Sequence, residues 1–172
     1  MTRFTAASVA SAVAAGVALF AAGSGDVLAQ KKGASAKELV GTWTAVSVTN
    51  TQPDGKKIET FGPRPVGILT FDAQGHYNLQ ICRSGRAKFA SNSRDKGTPE
   101  ENQAAVTGCN PHWGKYTVAD GAINFQIEHA MYPNWEGTTQ KRTFTIKGDQ
   151  LTYNVPAASA GGTSEVVWKR AK

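Results

Sequence analysis

The sequence predicts an all-β domain, an eight-stranded and mainly antiparallel barrel with one short helix in a long loop. Three observations point there. Short runs rich in Val, Ile, Thr, Tyr and Phe alternate with period two, and Gly, Pro, Asn and Asp clusters punctuate them. The runs number eight, enough to close a sheet on itself and remove its edges. One segment, Thr98-Pro99-Glu100-Glu101, carries helix-start chemistry.

Before the first run lies a stretch of another kind. Arg3 is a short positive region, an alanine- and valine-rich run spans Ala6 to Ala22, and Val27-Leu28-Ala29 puts small residues where a signal peptidase reads. Residues 1–29 are therefore expected to be a cleaved export signal. The run is too short and too alanine-rich for a membrane span. No cysteine stands near the cut to take a lipid, so no stable membrane anchor is expected after cleavage, and the protein is expected to be periplasmic or secreted. Residues 30–38 read as a polar linker and 39–172 as the barrel domain. The cut removes one charge of each sign, Arg3 and Asp26, so the mature chain keeps the net +6. A basic surface favours anionic ligands or an anionic envelope, although such a balance also occurs without either role.

The first strand runs from Leu39 to Thr49, and the Pro53-Asp54-Gly55 turn follows. Phe61-Gly62-Pro63-Arg64-Pro65 is a crossover whose prolines exclude regular structure. Val66 to Asp72 and His76 to Cys82 form a hairpin around Ala73-Gln74-Gly75. In the second of these, Tyr77, Leu79 and Ile81 share one face and His76, Asn78 and Gln80 the other, so one face is buried and one wet.

Arg83 to Gly97 has no periodicity. Thr98-Pro99-Glu100-Glu101 then opens a helix, with Thr98 as N-cap, proline at the first helical position and Glu101 completing a capping box, and the helix ends near Thr107-Gly108. Cys82 and Cys109 are the only cysteines and, in an oxidising compartment, are expected to pair and staple this flap. Four more strands follow: His112 to Val118, Ala122 to His129, Thr138 to Lys147 and Gln150 to Val155. Thr163 to Arg170 is the last. An eight-stranded barrel has room for one small ligand.

Several motifs stand in a familiar order: Leu39-Val40-Gly41-Thr42-Trp43, Phe61-Gly62-Pro63, Asp72-Ala73-Gln74-Gly75-His76, Thr98-Pro99-Glu100-Glu101, Gly114-Lys115-Tyr116, and Pro133-Asn134-Trp135-Glu136-Gly137-Thr138 with Arg142. The ordered set resembles the lipocalin-like domain family of small bacterial and fungal proteins, over residues 39 to 170. The resemblance implies a barrel with an internal cavity, closed at one end by the first-strand tryptophan. It implies no settled activity, since related barrels include passive carriers and enzymes that rearrange or cyclise bound metabolites. Two departures bear on that choice. The chain has an export signal with a cysteine pair, and it has Phe125-Gln126 where members often show histidines before the acidic residue.

The residues expected to hold a ligand are Tyr77, Trp113, Tyr116, Glu128, His129, Trp135 and Arg142. An inward Glu128 would have Arg142 on the next strand as a cross-strand partner. Such a pair serves as a structural ion pair, as a binder of a polar ligand group, or, with a raised pKa, as a general base. Parity complicates this: Ile123, Phe125 and Ile127 are the apolar set of their strand, which sends His129 with them and Glu128 to the other face. The aromatic supply, including Phe71, Phe89, Phe144, Tyr153 and Trp168, suffices either to line a pocket or to fill a core.

His76, His112 and His129 lack metal-ligand spacing, so no metal is expected, and no cofactor motif is present. Arg83, Arg86, Lys88, Arg94 and Lys96 make the irregular loop basic, either a funnel for an anionic ligand or a solvated loop. No nucleic-acid-binding module is recognisable. Three functions follow in order: an exported barrel that binds a small, partly apolar and plausibly anionic molecule; an isomerase, cyclase or hydratase-like enzyme acting through Glu128 and Arg142; and an envelope interaction protein without a small ligand.

Overall fold

A computed structural model describes residues 35–159 and 161–172. The expected signal lies outside the described residues, as does most of the expected linker. Nine strands form one antiparallel sheet, in the order β2-β1-β3-β4-β5-β6-β7-β8-β9, and pairing of β1 with β9 closes it. They are β1 (Gly41–Thr51), β2 (Lys57–Glu59), β3 (Val66–Phe71), β4 (His76–Cys82), β5 (His112–Ala119), β6 (Ala122–Ala130), β7 (Thr139–Lys147), β8 (Gln150–Val155) and β9 (Thr163–Arg170).

Eight of these make the barrel wall, and β2 is an addition the sequence pattern did not announce. Strand β9 takes one edge of β1 from Trp43 to Thr51, so β3 and β2 share the other edge, at Gly41–Thr44 and Thr49–Thr51 respectively. Three residues, all exposed, are too few to set a period. The strand is specified by its place beside β1.

The period-two pattern of β4 is realised as expected: Tyr77, Leu79 and Ile81 are buried and His76, Asn78 and Gln80 exposed. Strand β1 departs from strict alternation. A bulge between Ala45 and Ser47 turns Val46 outward, so Trp43 lies inside before it and Val48 and Asn50 after it.

One end of the barrel is plugged. Residues Ala36–Leu39, expected as linker and the start of the first strand, form a single helical turn, α1, whose Leu39 is fully buried. The Trp43 indole N–H donates to the Leu39 carbonyl at 2.8 Å. The Arg170 guanidinium lies 4.1 Å from the Trp43 ring centroid and donates to the carbonyls of Val40 and Glu38. The chain enters β1 through Gly41 at φ +126°, which side-chain-bearing residues rarely adopt and where a Cβ would press on Arg170. Leu69, Phe71, Ile123, Leu151 and Trp168 pack behind this plug. Each large apolar side chain buried there contributes about 1.5–3 kcal/mol.

At the opposite end β4 runs into the flap. Helix α2 (Pro99–Thr107) starts as its sequence requires: the Thr98 hydroxyl accepts from Glu101 N–H at 3.2 Å, and the Glu101 carboxylate accepts from Thr98 N–H at 2.9 Å. No α2 residue is buried. The flap is held at its base by the Cys82–Cys109 disulfide and by hydrogen bonds from Arg83 N–H to Gly108 O and from Asn110 N–H to Ile81 O, both 2.8 Å. Among the described residues no helix is long and apolar enough to cross a membrane.

Candidate functional site

Beyond the plug, the barrel interior holds a polar group. On β7 the side chains of Gln140, Arg142, Phe144 and Ile146 are the less exposed set, so they face inward. Arg142 stands opposite Ile123 of β6. Its guanidinium contacts the Gln140 side-chain oxygen and donates to the Lys141 carbonyl at 3.1 Å, and among the described residues no carboxylate pairs with it. Burial lowers its pKa, while Tyr153 and Tyr77 oppose that shift.

His112 opens β5 and faces inward with Gly114 and Tyr116. Its Nδ1 lies 2.8 Å from the Tyr77 hydroxyl. Burial first, and the Arg142 charge second, push its pKa down to about 4, so the imidazole is neutral at neutral pH. Burial also raises both tyrosines, Tyr153 to about 12. The ring of Trp135, from the β6–β7 loop, meets His112 edge to face at 5.7 Å. Phe125 fills the space between, 4.7 Å from Tyr77 and 6.0 Å from Tyr153.

Two further polar features lie in the interior, Asn50 toward the end away from the plug and Trp168 among the residues packed behind it. The buried Asn50 amide donates to Gly161 O and Ser164 Oγ, both at 2.9 Å. The Trp168 indole N–H is buried without a hydrogen-bonded partner, although it lies near enough to the Tyr153 hydroxyl to lower that phenol's pKa against the effect of burial.

Of the seven expected site residues, three meet here: Tyr77, Trp135 and Arg142. Tyr116 faces inward but deeper, its ring 4.7 Å from Phe71 and its hydroxyl donating to Asp72 O at 2.8 Å. The other three follow from a second bulge. Trp113 pairs with His129 and Gly114 with Ile127, leaving Glu128 as the extra residue. The parity expectation for His129 is thereby overturned. The bulge turns it outward beside Trp113, at 4.9 Å between ring centroids. Glu128 is exposed and does not pair with Arg142, whose cross-strand neighbour is Ile123. Gly114 makes the bulge feasible, since a Cβ there would lie 2.1 Å from Gln126 O.

Sequence reasoning passed over His112 and Tyr153 as site residues. In the sequence His112 reads only as a possible metal ligand and Tyr153 only as general aromatic supply. The signal was available: His112, Gly114 and Tyr116 share one face of their strand, as do Leu151, Tyr153 and Val155. Among the described residues no three His, Cys, Asp or Glu side chains converge as metal ligands. The flap cations Arg83, Arg86, Lys88, Arg94 and Lys96 form no ion pair among the described residues, and Arg83 donates to Thr60 O at 2.9 Å, tying flap to crossover.

A closed eight-stranded wall, a first-strand tryptophan plug and a polar interior at the far end invite comparison with known proteins. The lipocalin-like domain matches residues 40–171. The chain belongs to that family. It is 35% identical over 82 residues to the 4'-hydroxy-3'-methoxypropiophenone carrier protein ppsC of Aspergillus oryzae, an alignment covering 43% of this chain and 74% of that one. Among solved structures, a redesigned beta barrel aligns over 82% of this chain and 98% of its own at 16% identity and a TM-score of 0.42. The wild-type fluorescent protein UnaG aligns over 78% and 98% at 12% identity and a TM-score of 0.38.

Proposed function

We propose that this lipocalin-like protein is an exported carrier that holds a small, partly apolar molecule at the open end of its barrel, with an anionic or carbonyl oxygen of that molecule on Arg142. The observation that carries the reading is an inward guanidinium with no carboxylate partner among the described residues, surrounded by Tyr77, His112 and Tyr153. Taking a cation out of water is costly unless something answers its charge. A bound oxygen anion or polarised carbonyl does so, and the rings of Phe125 and Trp135 supply apolar contact for the rest of the ligand. The aryl ketone in the name of the Aspergillus relative fits this division into aromatic body and acceptor oxygen.

Export is supported by the N-terminal residue pattern and by a disulfide that suits an oxidising compartment. Intact mass of the protein from an envelope fraction tests it: a mature N-terminus at Gln30 is expected, and full-length protein confined to the cytoplasm contradicts it. An enzyme working through Glu128 and Arg142 needs the two side chains to face one another. Glu128 instead sits exposed on the bulge and forms no ion pair among the described residues.

Isothermal titration with 4'-hydroxy-3'-methoxypropiophenone and with the matching benzoate, 4-hydroxy-3-methoxybenzoate, tests the carrier reading. At least one is expected to bind at one site per chain, and Arg142→Met to weaken it at least about tenfold, the loss of one charge-assisted hydrogen bond. Equal affinity in the variant, or no heat with either compound, overturns the reading.

A further inference from the structure

The bulge at Glu128 does more than remove His129 from the interior; it builds something outside. Across the outer wall the register aligns Thr70 of β3 with Asn78 of β4, Asn78 with Trp113 of β5, and Trp113 with His129 of β6. His129 lies against one side of the Trp113 indole, its ring tilted 42°, and is itself held by Glu136, whose carboxylate lies 3.4 Å from His129 Nδ1 and also accepts Ala130 N–H. Trp113 nevertheless remains 46% exposed. On its β4 side lies a shallow cleft of about 310 Å³, with Trp113 as one wall, Asp72 and His76 of the hairpin as the other, and Thr70 and Asn78 between them.

From this arrangement we infer a second binding site, on the outer wall of the barrel, for a neutral saccharide of one to three rings. An indole braced from behind presents a flat π-face to the C–H side of a sugar ring, which a mobile surface tryptophan does not. The surrounding groups match hydroxyls. Asp72 Oδ1 accepts the backbone N–H groups of Gln74 and His76, and Oδ2 lies 2.9 Å from His76 Nδ1, which leaves the second ring nitrogen, Nε2, for another partner. The Asn78 oxygen accepts from Gln80, leaving its amide hydrogens to donate, and Thr70 adds a hydroxyl. The Asp72 carboxylate on the wall disfavours an anion, which separates this site from the one at Arg142 in the class of ligand it takes.

The test is a titration of the full chain with cellotriose, maltotriose and chitotriose, followed by ¹H–¹⁵N spectra. At least one sugar is expected to shift the Trp113 indole N–H and the amides of Thr70, His76 and Asn78 together, with the Arg142 side chain unmoved; failure of the carrier reading would leave this result intact. Trp113→Ala is expected to weaken binding at least about tenfold. His129→Ala is expected to weaken it less and His129→Phe to recover the loss by restoring the brace. Should Trp113→Ala prove poorly folded, Asn78→Ala, on the exposed face, is expected to cost a few-fold with an unchanged melting temperature. Absence of shifts with all three sugars up to about 50 mM, beyond the millimolar affinities of weak sites, overturns the proposal. So does an affinity unchanged by both Trp113→Ala and Asn78→Ala.

Discussion

The two ends of the barrel are built from the same strands and differ in how their polar groups are answered. At the plugged end the Trp43 N–H, the Arg170 guanidinium and the carbonyls of Glu38, Val40 and Leu39 all find one another. Away from the plug Arg142 has no carboxylate among the described residues, and His112 is held neutral by burial. The closed end reads as stability and the open end as recognition, because natural cores leave polar groups unanswered only where something else answers them. That contrast is what experiments should try to break.

The largest effect is expected at the plug. Trp43→Ala removes a fully buried indole, its hydrogen bond and the surface under Arg170, and is expected to cost about 3–5 kcal/mol in denaturant titration. A loss below about 1 kcal/mol would show that the plug is ornamental. Removing the staple is next. The disulfide closes a 27-residue separation, and the Cys82→Ser/Cys109→Ser variant is expected to lose about 3 kcal/mol by loop entropy. Since α2 buries no residue, hydrogen exchange should rise first in the flap and leave β6–β9 protected.

Acid should strike the open end. Unfolded His112 takes a proton near pH 6.5 and the folded residue only near 4, so between those values the unfolded chain binds more protons. Stability is therefore full above about pH 6.5 and falls as pH drops toward 4, by on the order of 3 kcal/mol in total. His112→Phe is expected to flatten that slope, and an unchanged slope in the variant would contradict the assignment. The smallest effect is expected at the flap helix: Thr98→Ala removes the cap and should cost about 1 kcal/mol or less, seen as faster exchange in α2 alone.

Much of this was legible in the chain. Tyr77, Leu79 and Ile81 alternate so regularly that β4 reads from the sequence to its ends, and the capping box at Thr98 and Glu101 starts α2 where the structure does. What escaped depends on encounters distant in sequence. Strand β2 exists because β1 offers a free edge beyond β3. Leu39 reads as the start of a strand until Trp43 and Arg170 close over it as a plug. The orientation of His129 turns on a bulge that Gly114 permits from the neighbouring strand, and one inserted residue reverses every face after it. Arg142 was legible as a polar residue worth watching, but its inward setting beside His112 and Tyr153 needed the closed wall.

The most direct test of the recognition end is the side-chain Nε–H resonance of Arg142, followed as 4-hydroxy-3-methoxybenzoate is added to the intact protein. A saturable shift, shared by the Trp135 indole N–H signal and absent from Trp43, is the predicted result. Saturable binding that moves neither the Arg142 nor the Trp135 signal would contradict the account.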